Sequence, residues 1–174
     1  MNAHRRCVVR QFKHSTSKHY NGGHVAVAVI VGRTKILLIK ETTKPTPHFW
    51  KFISETLEPD EPVLNALWGG LKEEAGLDLK VRHGPSGDVV EFVDERARVV
   101  ELCEPHLVYS RGGTHTRHFF GVETTDEVVM SLSSQKLVGG YNEEIETQAF
   151  NIAELDSLPL FHPHHRELLR SIKK

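Results

Sequence analysis

Residues 57–77 read LEPDEPVLNALWGGLKEEAGL. Acids crowd the start of this stretch, at Glu58, Asp60 and Glu61, where the positive end of a helix dipole favours negative charge. Pro62 suits a first helical position, because its missing N–H has no intrahelical partner there. Val63, Leu64, Leu67, Leu71 and Ala75 recur at helical spacing, largely on one face. The pattern predicts an amphipathic helix over residues 62–75. Gly76 is a suitable stop, since glycine enters the left-handed region at no steric cost.

Near the end of that helix stand Glu73 and Glu74, one turn after Gly69 and Gly70. A glycine inside a helix costs about 1 kcal/mol relative to alanine, so two together need a reason. Residues three and four apart share a helix face, so Glu73 and Glu74 share theirs with position 70. Carboxylates gathered there would bind a hard cation such as Mg2+ through oxygen. A cation so held neutralises phosphate charge and activates water. The competing reading is a solvated acidic pair on an exposed face.

Outward from the helix, residues 25–31, VAVAVIV, form a continuous apolar, β-branched run that suits a strand buried on both faces. Gly32-Arg33-Thr34 makes a turn, and KILLIK at 35–40 is the partner strand. Residues 41–48 hold two prolines without periodicity and read as a loop, followed by a short aromatic strand at 49–53. A second loop falls at 83–88. Strands are expected at 89–93, 97–103 and 106–109, with 114–122 closing a hairpin across a turn at 110–113. Residues 126–141 show weak periodicity. A last strand at 145–150 precedes closing helices at 153–158 and 164–172. Strands mixed with a few helices imply one layered α/β or α+β domain over 23–174.

The chain has 174 residues, enough for a real core. Its net charge of -1 argues against a general polyanion binder. No acid precedes Glu41, whereas Arg5, Arg6, Arg10, Lys13 and Lys18 load residues 1–22. This basic arm reads as a phosphate- or RNA-contacting segment, as a transit peptide, or as a solvated terminus. No apolar run reaches the ~18 residues of a membrane span. Cys7 and Cys103 lie far apart without a CxxC pattern, the usage of a cytoplasmic protein with reduced thiols.

Residues 57–77 resemble the signature box of the Nudix hydrolases. In that family the box runs Gly, five residues, Glu, seven residues, Arg-Glu, an apolar residue, any residue, Glu-Glu, any residue, Gly, apolar. Aligned without gaps, Glu61, Leu71, Glu73-Glu74 and Gly76-Leu77 fall in place. KILLIKE, FWKF, HFFGVE and NEEIETQAFNIAEL lie where the family places strands and its late strand and helix. The resemblance implies a Nudix-type α/β/α sandwich around a mixed β-sheet. It implies a Mg2+-dependent (or Mn2+-dependent) pyrophosphohydrolase cleaving a nucleoside diphosphate linked to another group. Glu73 and Glu74 would then be catalytic and hold the metal, with Glu74 foremost.

The departures are specific. The first box glycine is Glu55 here, after Ile53-Ser54 in place of the usual Pro-Gly. The Arg-Glu dipeptide is Gly69-Gly70, which removes a helix carboxylate and the arginine that braces Glu61. Glu55, Glu58, Glu143 or Glu144 would compensate by holding metal or orienting water. Glu58 and Glu143 are taken as metal-side candidates and Glu144 as a catalytic one, since family members often supply an acid from that late loop. The alternative is a nucleotide-binding or regulatory module with impaired catalysis.

For substrate, Trp50 with Phe49 can stack a base, and Lys40 and Arg117 can meet phosphates. Core packing and plain surface charge compete with those roles. His162, His164 and His165 lack zinc-site spacing and read as an ordinary helix start. His115 and His118 should face opposite sides of their strand.

Overall fold

The computed structural model of the chain describes residues 21–110, 113–140 and 142–172. The basic arm, apart from its last two residues, and Cys7 therefore lie outside the described residues. Strand β1 (Asn21–Val31) is the axis of the molecule. One edge pairs in parallel with β8 (Gly113–Glu123) along its length. The other edge is shared: β3 (Ile53–Thr56) pairs antiparallel with Val25–Ala28, and β2 (Lys35–Glu41) joins only at Val31. Beyond β2 lie β10 (Glu144–Asn151) and β9 (Lys136–Val138). Beyond β8 lie β6 (Arg98–Glu101) and β7 (His106–Ser110). One parallel pair among antiparallel ones makes the sheet mixed. A separate hairpin is formed by β4 (Val81–His83) and β5 (Val89–Phe92).

The alternation within VAVAVIV divides two cores. Ala26, Ala28 and Ile30 face helix α1 (Val63–Ala75), packing with Leu64, Leu67 and Leu71. Val27 and Val29 face the opposite side, where Phe52, Phe119, Phe161 and Leu168 gather beneath α3 (Pro163–Ile172). A strand buried on both faces has no polar side to show, which is why its sequence is continuously apolar. The two alanines lie on the α1 side, where their small size lets the helix come close. Helices on both faces of one sheet give the expected α/β/α sandwich.

Helix α1 ends at Gly76 in the left-handed region, φ 67. It runs unbroken through Gly69 and Gly70. These two glycines differ in surroundings. A Cβ on Gly69 would meet nothing within 4 Å, and nothing in the structure explains that glycine. A Cβ on Gly70 would lie 3.1 Å from the Glu55 Cβ and 3.4 Å from the Ile53 Cγ2. Gly69→Ala should therefore stabilise the fold by about 0.5–1 kcal/mol, the helix-propensity difference. Gly70→Ala should show little or none of that gain. Thermal melts of the two variants check this, and an equal gain in both would contradict the packing at Gly70.

Several expected elements shift. The aromatic strand at 49–53 is not regular: Trp50 and Lys51 make single bridges to Phe161 and Ile39, and the strand proper begins at Ile53. Backbone bonds with two different partners prevent a continuous ladder there. The weakly periodic 126–141 contains α2 (Asp126–Ser131) and β9. Thr125 caps α2 by accepting from the Val128 N–H. The Asp126 carboxylate pins it to the β1–β2 turn by accepting from the Thr34 and Lys35 backbone N–H groups. The helix expected at 153–158 is a 3₁₀ turn, Ile152–Ser157. Strand β4 had no separate signal, having only three residues. Among the described residues no helix is long and apolar enough to cross a membrane.

Candidate active site

Helix α1, strand β3, the turn between them and the β9–β10 loop bring six glutamates together on the α1 side of the sheet. Glu74 is the most enclosed, at 8% exposure, with the Ser54 N–H donating to its Oε2 at 3.4 Å. Glu55 is half-buried on β3, opposite Ala26 and two residues from Ile53, on the same face. Glu73 is exposed, yet the Gly140 backbone comes so close that a Cβ there would lie 3.0 Å from its Oε2. Glu143 folds back over Gly139 in the same loop, where a Cβ would meet its Oε2 at 2.8 Å. A side chain at either glycine would have to displace one of these two carboxylates. Glu61 has lost its box arginine, but the Glu58 backbone N–H donates to its Oε2 at 2.8 Å. That bond closes the turn over 58–61, in which Asp60 takes φ 62.

Crowding like charges in a half-dry place makes ionisation costly. Burial pushes the Glu74 carboxyl up to about 8; Lys51 opposes this, Glu55 adds to it, the Ser54 N–H opposes it and Glu143 adds to it. Burial likewise pushes Glu55 up to about 7, reinforced by Glu73, Glu61, Glu143 and Glu58. Among the described residues no three such side chains converge closely enough to cage an ion. The donors nevertheless suit one. They are all carboxylate oxygens, the hard ligands Mg2+ takes, and one divalent charge would offset the repulsion they share. The space left by Gly70, bounded by Glu55, is part of the same cradle.

The sequence candidates divide between the two faces. Glu58, Glu73, Glu74 and Glu143 join the carboxylate cluster. Glu144 does not: it is exposed on β10, its carbonyl taking the Thr42 N–H, and its charge is not among the largest acting on Glu55 or Glu74. Lys40 pairs with Glu146 at 3.2 Å and stands over the Trp50 ring at 4.6 Å. Trp50 packs edge-on against Phe150 at 5.1 Å, so part of its surface serves the core. Arg117 is half-buried on β8, on the α3 side with Phe119. It has no hydrogen bond or ion pair among the described residues, and burial lowers its basicity.

His165 is structural: its Nδ1 accepts the Phe52 N–H at 2.9 Å and its ring stacks on Phe52. The Nδ1 of His162, beside Phe49, is buried with no hydrogen-bond partner among the described residues. His118 faces His24 on the α1 side, ring nitrogens 3.0 Å apart, while His115 points to the other side. Lys51 was not foreseen. It lies between the two faces, pairing with Glu41 at 3.3 Å while its charge reaches Glu74 and both His162 and His165. Nothing local in FWKF signals this; the bridge to Ile39 sets it.

Comparison with known proteins agrees with this architecture. The MutT NUDIX hydrolase of Burkholderia pseudomallei is 21% identical, covers 86% of this chain and 96% of its own, and superposes with a TM-score of 0.56. The NUDIX domain of Shewanella oneidensis NrtR, solved with ADP ribose, is 14% identical, with coverage of 90% and 88% and a TM-score of 0.56. The MutT protein of Methanosarcina mazei is 11% identical, with coverage of 90% and 96% and a TM-score of 0.60. At these identities the likeness is one of fold. No curated protein matches the chain. The NUDIX domain model matches residues 22–172, and with its helix, sheet and carboxylates placed as described, the chain belongs to the Nudix family.

Proposed function

We propose that the protein is a divalent-metal-dependent hydrolase that cleaves the phosphoanhydride of a nucleoside diphosphate linked to another group. The supporting observation is Glu74, a carboxylate enclosed among like charges on the family's helix. Such an arrangement is costly unless a cation uses it. Glu74 and Glu73 hold Mg2+ or Mn2+, with Glu58 and Glu143 as nearby acids. Glu143 is preferred to Glu144 for orienting water, because its charge reaches Glu74. Bound metal would neutralise phosphate charge and lower the barrier to deprotonating water. The water oxygen bonds to phosphorus, the bridging P–O bond breaks, and the water's proton passes to a cluster carboxylate. Two phosphate-bearing products result.

On the α3 side, Trp50 offers a stacking face steadied by Lys40, and Arg117 offers a guanidinium with no ion-pair partner among the described residues. Arg117→Ala should raise KM about 10- to 100-fold with kcat within about threefold, the scale of one charge-assisted hydrogen bond. A drop in kcat at unchanged KM would remove Arg117 from substrate binding.

A hydrolysis screen over nucleoside diphosphate derivatives, ADP-ribose among them, with Mg2+ or Mn2+ tests the reading. Glu74→Gln is the control, and equal turnover in both proteins would sink the metal-site assignment. A nucleotide-binding module is the second reading, favoured by Gly70 in place of the box glutamate. Saturable ADP-ribose binding without turnover on any substrate would select it.

A further inference from the structure

Two departures from the family box meet in space. Position 55 carries Glu where the box has glycine, and position 70 carries Gly where the box has glutamate. They are fifteen residues apart in the chain but belong to one contact, between β3 and α1. The β3 register sets Glu55 against Ala26 on the face that α1 covers. Helix α1 passes Gly70 directly over it. A Cβ on Gly70 would lie 3.1 Å from the Glu55 Cβ and 3.6 Å from its Oε2. The carboxylate of Glu55 thus fills the space into which a side chain at 70 would project.

We propose that Glu55 and Gly70 are a reciprocal exchange, in which β3 supplies the metal-binding carboxylate that the helix lacks. This rests on the metal-dependent reading of the site. A second glutamate at 70 would crowd Glu55. The built Cβ separation of 3.1 Å is tighter than ordinary contact, and a further charge would enter a cluster already strained by repulsion. Either residue alone presents a carboxylate to the same space from opposite walls. Gly70 is then the condition for Glu55, which explains a helix-interior glycine that propensity alone disfavours. Ala26 helps, since a small residue opposite Glu55 leaves room for the glutamate stem. Glu55 faces the right neighbours: the charges of Glu58, Glu61, Glu73 and Glu143 all reach it. A ligand on β3 is also fixed by a strand paired in the sheet, a firmer base than a loop acid such as Glu143 would have.

Four proteins test this with Mn2+ alone as the probe: wild type, Glu55→Gln, Gly70→Glu, and Glu55→Gly with Gly70→Glu. Mn2+ affinity by titration calorimetry and thermal melting with and without Mn2+ are the readouts. Glu55→Gln should lose about tenfold or more in affinity while staying folded. Gly70→Glu should melt lower than wild type without binding better. The double variant should recover affinity to within about threefold of wild type and lose the melting defect. Unchanged affinity in Glu55→Gln overturns the exchange, as does a folded double variant that stays as weak as Glu55→Gln. A Glu74→Gln protein measured alongside separates the two claims. If it binds weakly while Glu55→Gln binds normally, only the exchange fails. If both bind as wild type, or wild type binds no Mn2+, the metal reading fails with it.

Discussion

Glu74→Gln is expected to lower metal-dependent turnover by about 10²-fold or more and, in the same protein, to raise the stability of the metal-free fold. On the proposed metal-dependent hydrolysis, the first effect follows from removing an enclosed oxygen donor, with the magnitude typical of losing one such group. The second follows from burial. A carboxyl raised from 4.5 to about 8 holds its proton in the folded protein while the unfolded chain ionises. Its contribution is fully present below pH 4.5 and is lost as the pH rises toward 8. At pH 8 the loss is about 4 kcal/mol, and the neutral, isosteric Gln escapes it. Kinetics and chemical denaturation on one preparation read both. A variant that is both inactive and less stable would make Glu74 a packing residue.

Without divalent metal, stability should be nearly flat between about pH 4.5 and 6.5 and fall on either side. On the alkaline side, Glu55 and Glu74 are raised to about 7 and 8, so stability drops as the pH climbs through those values. On the acid side the buried histidines oppose them. Burial, then the nearby charges, lowers His162 to about 4 and His165 well below 6.5. A lowered histidine gives stability that is present above 6.5 and is lost as the pH falls. In the middle window the two carboxyls and two histidines bring opposite slopes and largely cancel. Excess Mg2+ or Mn2+ should lift the alkaline limb selectively, because metal binds the ionised carboxylates. Denaturation midpoints from pH 4 to 9, with and without metal, check this. An alkaline limb indifferent to metal would count against the carboxylate site.

Much of this was legible locally. Val25 to Val31 announces a doubly buried strand, and the structure uses its alternation to build both cores. The apolar spacing of 63–75 and the stop at Gly76 fix α1 almost to the residue. Short elements were less legible. β9 and β4 have three residues each, too few for a period, and α2 is only six long. The segment at 49–53 misled because its aromatics suit a strand, whereas Leu160 and Ile39 take its backbone bonds one at a time.

The carboxylates divide in the same way. That Glu73 and Glu74 lie near position 70 follows from helix geometry, which depends only on neighbours in the chain. That Glu74 is enclosed and Glu73 is not depends on β3, whose Ser54 N–H reaches only one of them. That Glu61 finds a backbone donor in place of arginine depends on the turn at Asp60. The sequence by itself determined the family, the layers and the helix that carries the acids, because hydrophobic period and capping are short-range properties. Only the tertiary structure decided what stands in the gap at Gly70. The answer lies on β3, and the contact between Glu55 and Gly70 exists only once α1 has packed across Ala26, Ala28 and Ile53.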